Sequence, residues 1–303
     1  MLAVVGPRQF TRKMHNARNG MDKFDLYIER VKHLPPAPAI ATQIRSLAGD
    51  PNRDTDRLAE LISYDPSLTA EVLKRSNSAF FRGIEPAADA FEAVSRLGFN
   101  EVQYVVATSL GSHATPRPQA GEALDADSLW RHSAMTALAT ATLAGQALEP
   151  ETKAFTAGLL HDVGKLVFAT VQGASYADIL RRAGSSGLIL QEAEAVHWGV
   201  THAEVGARLL TRWGLPASVT VPILHHHDPP SAAAPYERLT AAIHLANRMA
   251  HQLAGDEAAA PDRAPGAQEA MILLQLTEQD LPTLIEQIRE RLRRAQGVLQ
   301  ITV

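Results

Sequence analysis

The chain has 303 residues, of which 46% are apolar and 20% are charged, and these are the proportions of an ordinary globular protein. Its formal charge of -4 provides no basic field for a phosphate backbone, so we expect no nucleic acid as a partner. The absence of cysteine excludes disulfides, cysteine-zinc sites and thiol catalysis. A bound metal would therefore have to use the imidazoles of the twelve histidines together with carboxylates.

The first 20 residues are polar and mildly basic, and we predict that residues 1–20 form a disordered arm. The apolar start of the chain breaks at Gly6-Pro7, which is too early for a signal peptide. No uninterrupted run of about 18 apolar residues follows, and the sequence therefore predicts a cytoplasmic protein without a membrane segment.

Residues 21–112 are predicted to form an N-terminal helical part. A rigid turn is expected at Leu34-Pro35-Pro36-Ala37-Pro38, because proline prevents the continuation of a helix. Asp65-Pro66 is expected to end one helix and start the next, and Gly98 is expected to end another. The segment 102–110 is predicted to be a buried helix from its length and composition. The predicted helices cover residues 22–31, 39–47, 54–63, 66–77, 88–97 and 102–110.

Residues 113–127 are predicted to form a linker loop, because proline and glycine are frequent there and large apolar residues are few. A helical core is expected over residues 128–255, and a C-terminal helical extension over residues 256–303. The predicted core helices cover residues 128–147, 151–170, 175–183, 188–197, 202–213, 217–226 and 238–253. No segment alternates with a period of two residues, so the predicted fold class is all-α.

The last predicted helix carries one apolar stripe. We expect Thr277 to cap this helix. The stripe consists of Leu281, Leu284, Ile285, Ile288 and Leu292. We expect the stripe to pack on its own domain, and the alternative is that it docks on a partner or forms a homodimer.

One short string carries the strongest chemical signal, and it reads Gly158-Leu159-Leu160-His161-Asp162-Val163-Gly164-Lys165-Leu166. Neighbouring residues on a helix lie about 100° apart, so His161 and Asp162 cannot share one face, but they can converge on an ion at the helix flank. Mixed imidazole and carboxylate ligation suits iron, zinc or manganese, and one aspartate can bridge two ions. Lys165 follows one turn later, where it could meet a phosphate.

Further histidines are spaced as a metal site inside a helix bundle requires. His132 lies on an earlier helix, His202 at a helix start, and His226 and His227 near the end of a later helix. A single histidine in such helices is more often a structural or surface residue, and the run from His225 to Asp228 could also be a polar helix end. The ordered set favours a site over these alternatives.

Three blocks of the sequence occur in a characteristic order. They are Trp130-Arg131-His132-Ser133, the run from Ala157 to Lys165, and Thr201-His202-Ala203-Glu204-Val205-Gly206-Ala207. In this order they resemble the HD superfamily of metal-dependent phosphohydrolases. More narrowly, the chain resembles the HDOD family of bacterial signalling output domains over roughly residues 30 to 255, also through Leu34 to Pro38, Ile62 to Leu68, Ser76 to Phe81, Ala93 to Gly98 and Arg212 to Pro216. The resemblance implies an HD-type multi-helix bundle with an additional N-terminal helical subdomain.

The resemblance also implies roles for individual residues. The HD pattern makes His132, His161 and Asp162 metal ligands, with Asp162 also activating water for catalysis. The related HD-GYP domains, which hydrolyse cyclic di-GMP, have further ligands and a phosphate-contacting lysine. The further ligands correspond to His202, His226 and His227 here, and the lysine corresponds to Lys165.

Two departures from the pattern argue against efficient catalysis. The last ligand of the HD pattern is an aspartate, and Asn247 stands in its place, where a neutral amide binds a cation more weakly. No Gly-Tyr-Pro signature follows His227, because Asp228-Pro229-Pro230 stands there instead. Hydrolysis of cyclic di-GMP is therefore not supported by the motif.

The leading hypothesis is a signal-transduction output or adaptor protein, and the family is tied to cyclic-nucleotide signalling. Its partners would be signalling proteins in separate chains, and a divalent iron, manganese or zinc ion or a nucleotide could occupy the HD cavity. The alternative is an active metal-dependent phosphohydrolase that acts on a nucleotide or a cyclic dinucleotide. Under the first hypothesis the predicted site residues bind a regulatory ion, and under the second they catalyse hydrolysis.

Overall fold

The computed structural model describes residues 23–48, 54–112, 126–148, 150–186, 189–255 and 266–299. Every regular element within these residues is a helix, which confirms the predicted all-α fold. The predicted disordered arm, residues 1–20, lies outside the described residues, as does most of the predicted linker, 113–127. The last two residues of that linker already belong to a helix.

Within the described residues the N-terminal part is built from short helices. They are α1 (Lys23–Arg30), α2 (Pro38–Ala48), α3 (Thr55–Ser63), α4 (Pro66–Ser76), α5 (Ala90–Leu97) and α6 (Phe99–Ser112). Asp54, Asp65 and Asp89 precede α3, α4 and α5, and each carboxylate accepts a hydrogen bond from the backbone N–H three residues further on. Gly98 ends α5 with a φ of 75°, a conformation that glycine adopts without strain, as predicted.

The predicted turn at Leu34 to Pro38 is tied to the start of α4. The Ala37 N–H donates to Oδ2 of Asp65 over 2.6 Å, and the Ser67 hydroxyl donates to the Pro35 carbonyl over 2.6 Å. Leu34 itself is fully buried. These contacts join a turn and a helix that lie about thirty residues apart in sequence.

The helix predicted over residues 102–110 is confirmed, but the prediction that it is buried is wrong, because one face is exposed. Helix α6 is amphipathic, because Val102, Val105 and Val106 face the core while Tyr104 is 64% exposed. Ala107 and Thr108 are exposed as well. The segment contains small and weakly polar residues, so its composition does not distinguish the exposed face from the one stripe that contacts the core.

The later helices form the bundle that carries the histidines. They are α7 (Ala126–Leu148), α8 (Glu151–Leu160), α9 (Val163–Ser186), α10 (Leu190–Trp198), α11 (His202–Arg212), α12 (Ala217–His225), a 3-10 turn (Pro229–Ser231), α13 (Glu237–Leu253), α14 (Ala267–Leu274) and α15 (Leu281–Leu299). Helix α7 packs along α8 and α13, and α9 packs along α11. These packed pairs bring the ends of α8 and α12 and the start of α11 to one place.

The helix predicted over residues 151–170 is interrupted, which corrects the placement of His161 and Asp162 inside a helix. Helix α8 ends at Leu160 and α9 begins at Val163, so the two residues form the turn between them. The Lys165 N–H donates to the Asp162 carbonyl, three residues back, over 2.9 Å. The turn thus places both side chains at a junction of helices and not on a helix flank.

The C-terminal extension contains α14 and α15, and the prediction for the stripe is confirmed. Ile288 and Leu292 are fully buried, Leu281 is 7% exposed, and α15 packs on α7. The prediction that Thr277 caps α15 is wrong, because α15 begins only at Leu281. The Thr277 hydroxyl and N–H instead donate to the carboxylate of Asp280, which closes a turn in front of the helix.

One stretch of the described residues, Glu151–Ala183, is long and apolar enough to cross a membrane by length and composition alone. Within the protein 72% of its most apolar window is buried. That degree of burial is what a central helix of a globular protein shows, since its apolar surface is covered by neighbouring helices.

Candidate functional site

The histidines that the sequence singled out come together around Asp162. His132 extends from α7, His161 and Asp162 form the turn between α8 and α9, His202 begins α11, and His226 and His227 follow α12. Their potential ligand atoms form two groups, and within each group these atoms lie within 4.8 Å of one another: His132, His161 and Asp162 in one, and His202, His226 and His227 in the other. Four segments of the chain therefore contribute to one cluster.

Asp162 connects the two groups through its two carboxylate oxygens. Oδ2 lies 3.3 Å from Nε2 of His161 and 3.7 Å from Nε2 of His132. Oδ1 lies 3.2 Å from Nε2 of His202 and 3.9 Å from Nε2 of His226. One carboxylate oxygen thus faces each histidine group, which is the arrangement in which an aspartate can bridge two ions.

Backbone carbonyls orient two of the imidazoles. The Nδ1 atom of His161 lies 2.7 Å from the Gly158 carbonyl, and Nδ1 of His226 lies 2.7 Å from the Ile223 carbonyl. With Nδ1–H as the donor, each ring presents the lone pair of Nε2 to the cluster.

Three acceptor atoms in the cluster form no hydrogen bond. They are Nε2 of His161, Nε2 of His226 and Oδ1 of Asp162, and all three are buried. Leaving such atoms without a partner costs free energy. Cations placed in the two groups would satisfy these atoms, so the residues present fit divalent metal binding.

Glu194 is a buried member of the site that the sequence analysis missed. Its Oε2 accepts from the His202 ring at Nδ1 over 2.7 Å and from the His202 backbone N–H over 2.8 Å. Its Oε1 accepts from the Tyr176 hydroxyl over 3.0 Å. A carboxylate on Nδ1 fixes the tautomer and orientation of a ligating histidine and raises its basicity. The sequence signal that could have identified Glu194 is its acidic side chain in α10, seven residues before Thr201, which caps α11.

Lys165 lies within the cluster and is paired with its carboxylate. Its Nζ is 2.5 Å from Oδ2 of Asp162, and its side chain is 15% exposed. The ammonium thus neutralises the carboxylate oxygen that faces His132 and His161. Because an ammonium has three N–H donors, this ion pair leaves Lys165 with donors for a further acceptor.

The electrostatics keep most of the imidazoles neutral. Burial, followed by the effect of neighbouring imidazoles, holds the pKa values of three histidines well below their usual range: His132, His226 and His227. Neutral imidazoles present lone pairs at neutral pH, as metal ligation requires.

The pKa shifts of His202 and Asp162 favour the charged form of each side chain, which is the imidazolium of His202 and the carboxylate of Asp162. Burial opposes the charge on His202, but Glu194 outweighs it and raises the pKa of this histidine. Burial would also raise the pKa of Asp162, but His161 and Lys165 outweigh it and hold that pKa well below its usual value. Nε2 of His202 lies 2.9 Å from Nε2 of His227, so these two rings meet inside the second histidine group.

Asn247, the residue at the position of the last carboxylate, is buried on α13. Its Oδ1 is buried and has no hydrogen-bond partner. His251, one turn further along α13, lies against His132 with ring centroids 4.4 Å apart and the ring planes tilted by 40°. Sequence reasoning missed His251, although its spacing of four residues from Asn247 puts both on one face of the helix.

Comparisons with known proteins cover the larger part of the chain. The profile of the HDOD domain family matches residues 34–229. The crystal structure of the MmoQ response regulator from Methylococcus capsulatus is 28% identical in sequence and has a TM-score of 0.69. That alignment covers 84% of this chain and 98% of the MmoQ chain.

Two curated relatives are longer proteins. An uncharacterised protein from Treponema pallidum is 28% identical over 232 residues, which is 75% of this chain and 44% of the relative. Ribonuclease Y from Deinococcus radiodurans is 31% identical over 112 residues, which is 37% of this chain and 15% of the relative. The chain therefore spans less than half the length of either relative.

Proposed function

The chain belongs to the HDOD domain family, and from this membership we propose that it is a signal-transduction output protein that holds a divalent cation in the cluster around Asp162. The similarity to a response regulator supports the signalling part of the proposal. The observation that supports the ion is the convergence of three buried acceptor atoms without partners, on His161, Asp162 and His226. Iron, manganese and zinc all suit imidazole and carboxylate ligands.

The cluster offers two sets of ligands for such ions. His132, His161 and Asp162 would hold one ion, and His202, His226 and His227 would hold the other, with Asp162 shared between them. Asn247 stays a predicted ligand, and its neutral amide would bind the ion more weakly than an aspartate. When bound, a divalent ion could polarise a phosphoryl oxygen and lower the pKa of water.

The chain's own residues favour a regulatory role for the ion over rapid catalysis. Lys165 is paired with Asp162, so part of its charge already serves the carboxylate of the cluster. Asn247 is neutral, so the site has one negative charge fewer to balance two divalent ions than a site with the aspartate of the HD pattern. A nucleotide ligand and a protein partner in a separate chain stay predictions within this proposal.

The second candidate function is a metal-dependent phosphohydrolase. Its specific support is that Asp162 contacts both histidine groups, the geometry that two-metal hydrolytic centres use. One of the relatives is named a ribonuclease, and ribonucleases act on phosphodiesters. Phosphodiesters are therefore the first class of substrate to test.

A metal analysis of protein purified without added metal tests the main proposal. We expect bound iron, manganese or zinc, and we expect that removal by a chelator lowers the midpoint of thermal unfolding and that re-addition restores it. Asp162→Ala should lose most of the metal, and Asp178→Ala, an exposed aspartate on α9, is the matched control and should retain it. The proposal fails if the protein is metal-free and added Mn²⁺, Fe²⁺ and Zn²⁺ leave its stability unchanged.

The same protein separates the two functions. Metal-loaded protein is assayed with bis(p-nitrophenyl) phosphate and p-nitrophenyl phosphate, and the output-protein proposal expects no turnover above the Asp162→Ala background. Turnover that Asp162→Ala abolishes and Asp178→Ala retains would instead establish the phosphohydrolase.

A further inference from the structure

The loop between α4 and α5 exposes large apolar side chains. It follows α4, which ends at Ser76, and precedes α5, which begins at Ala90, and we call residues 78–88 the apolar loop. Ile84 is the most exposed large apolar side chain of the described residues, and Phe80 is 85% exposed. Burial from water would stabilise both side chains. Two of them within five residues differ from the single exposed apolar side chains that are normal on a surface.

Hydrogen bonds hold the apolar loop in place. The side-chain amide of Asn77 donates to the Ala87 carbonyl over 3.0 Å, and its Oδ1 accepts from the Ala87 N–H over 2.7 Å. The guanidinium of Arg96 on α5 donates to the Glu85 carbonyl over 3.1 Å. These bonds fix the backbone beside Ile84 and near the end of the loop. Because the loop is ordered before it binds, association costs it little conformational entropy.

Two opposite charges accompany the apolar side chains. Arg82 and Glu85 are both exposed, and within the described residues neither side chain takes part in an ion pair or a hydrogen bond. On the adjacent helix α5, by contrast, Arg96 and Glu92 pair with each other over 2.8 Å. The apolar loop thus presents one cation and one anion, and each can take a partner from another molecule.

The order of these residues suits a second copy of the same loop. In a two-fold symmetric contact the same surface patch occurs on both sides, and it must be complementary to itself. Arg82 of one copy can then pair with Glu85 of the other, and this pair occurs twice. Ile84 and Phe80 of both copies pack between the two pairs. One contact therefore satisfies both charges and buries both apolar side chains.

A membrane surface suits the apolar loop less well. Apolar side chains and a cation favour an interface with anionic lipids. Glu85 directly follows Ile84, however, so insertion of Ile84 would bring this carboxylate against headgroups of the same charge. A second copy supplies a cation for Glu85, and an anionic membrane does not.

From these features we propose that the apolar loop is a self-association surface, through which two copies of the chain form a symmetric dimer. Ile84 and Phe80 provide the apolar centre, and the two pairs of Arg82 with Glu85 fix the relative orientation of the copies. A contact of a few side chains per copy is at the small end of specific interfaces, so we expect a dissociation constant on the order of 100 µM. The inference does not depend on the metal proposal, since it uses other residues.

Sedimentation velocity of the full chain at increasing concentration tests the proposal. Between about 5 and 500 µM the weight-average mass should rise from 32.7 kDa towards twice this value. Ile84→Ser should raise the dissociation constant at least about tenfold, because the apolar centre is lost. Ile272→Ser is the matched control, because Ile272 is 75% exposed on another helix, and it should associate as the unchanged protein does.

Exchange of the two charges tests the pairing between copies. Arg82→Glu and Glu85→Arg should each raise the dissociation constant at least about tenfold, because like charges then meet twice. The double variant that combines both substitutions should restore association, because the two charges have only exchanged places. Both side chains are exposed, so these variants should stay folded.

The proposal is overturned if the chain stays monomeric up to about 500 µM, if Ile84→Ser associates as well as Ile272→Ser, or if the double charge variant associates no better than the single ones. Vesicles of phosphatidylglycerol test the membrane directly. Binding of the monomeric chain to these vesicles that Ile84→Ser abolishes would assign the apolar loop to a membrane surface, and it would overturn the proposal as well.

Discussion

Asp65 shows how one buried carboxylate can organise the N-terminal part. It is fully buried, and its two oxygens accept from the Leu68 N–H at the start of α4 and from the Ala37 N–H in the proline turn. These hydrogen bonds favour the charged form. Burial opposes them and outweighs them, so the pKa of Asp65 is raised from 3.8 to about 6. The same side chain thus defines the local structure and makes its stability depend on pH.

The raised pKa of Asp65 predicts a pH-dependent term in stability. Because the folded protein binds this proton more tightly than the unfolded chain, the stabilisation is present below about pH 4 and is lost as pH rises through about 6. The loss is on the order of 3 kcal/mol. Urea unfolding of the unchanged protein and of Asp65→Asn between pH 4 and 7 measures it, since other titrating groups cancel in the difference. A difference that does not vary with pH would contradict the prediction.

The crossing of α9 and α11 holds the two halves of the histidine cluster at their observed distances. A Cβ atom built on Gly164 would lie 1.9 Å from the carbonyl oxygen of His202 and 2.9 Å from the backbone nitrogen of Gly206. Only a residue without a side chain allows this approach. Since Asp162 precedes α9 and His202 begins α11, the close contact of the two helices also sets the separation of these two site residues.

Gly164→Ala should therefore destabilise the protein by about 3 kcal/mol or more, because backbone and not a flexible side chain is in the way. It should also lower the metal content, since α9 and α11 must move apart. Gly111→Ala is the matched control, because nothing lies within 4 Å of its Cβ position. This control should be neutral or stabilising by up to about 1 kcal/mol. Equal unfolding midpoints for the two variants would show that the crossing adapts to a methyl group.

The elements that the sequence predicted well are those defined by neighbours in sequence. Asp65-Pro66 and Gly98 mark helix ends through contacts within a few residues, and the structure places the ends there. The turn at His161 and Asp162 could not be predicted in this way. It coincides with the contact of Gly164 with the His202 backbone, which joins residues almost forty positions apart.

The residues of the candidate site show the same difference between local motifs and contacts that are distant in sequence. His132, His161 and His202 could be singled out because each lies in a recognisable local motif, and the structure brings them together. Glu194 and His251 carry no such motif, and their contacts depend on how α10 meets α11 and how α13 meets α7. The supporting residues of a site are thus harder to predict from sequence than its presumed ligands.

On the scale of the whole molecule, the N-terminal helices and the histidine-bearing bundle share one hydrophobic core. A single cluster of buried residues runs from Ile28 on α1 through Leu73 on α4 and Leu160 on α8 to Leu292 on α15. Polar contacts cross the same boundary, since Asp89 before α5 accepts from Thr152 on α8 over 2.8 Å. The two parts are therefore joined by apolar packing and by hydrogen bonds.

The continuous core predicts that the described helices unfold as one cooperative unit. Leu73→Ala and Ile288→Ala, both fully buried, should each lower the free energy of unfolding by about 2–5 kcal/mol. Both should shift the whole transition, whether it is followed by helical circular dichroism or by tryptophan fluorescence. Ile272→Ala is the matched control, because Ile272 is 75% exposed and its truncation should change stability by no more than about 0.5 kcal/mol. Two separate transitions, of which Leu73→Ala moves only one, would show that the N-terminal part folds independently in spite of the shared core.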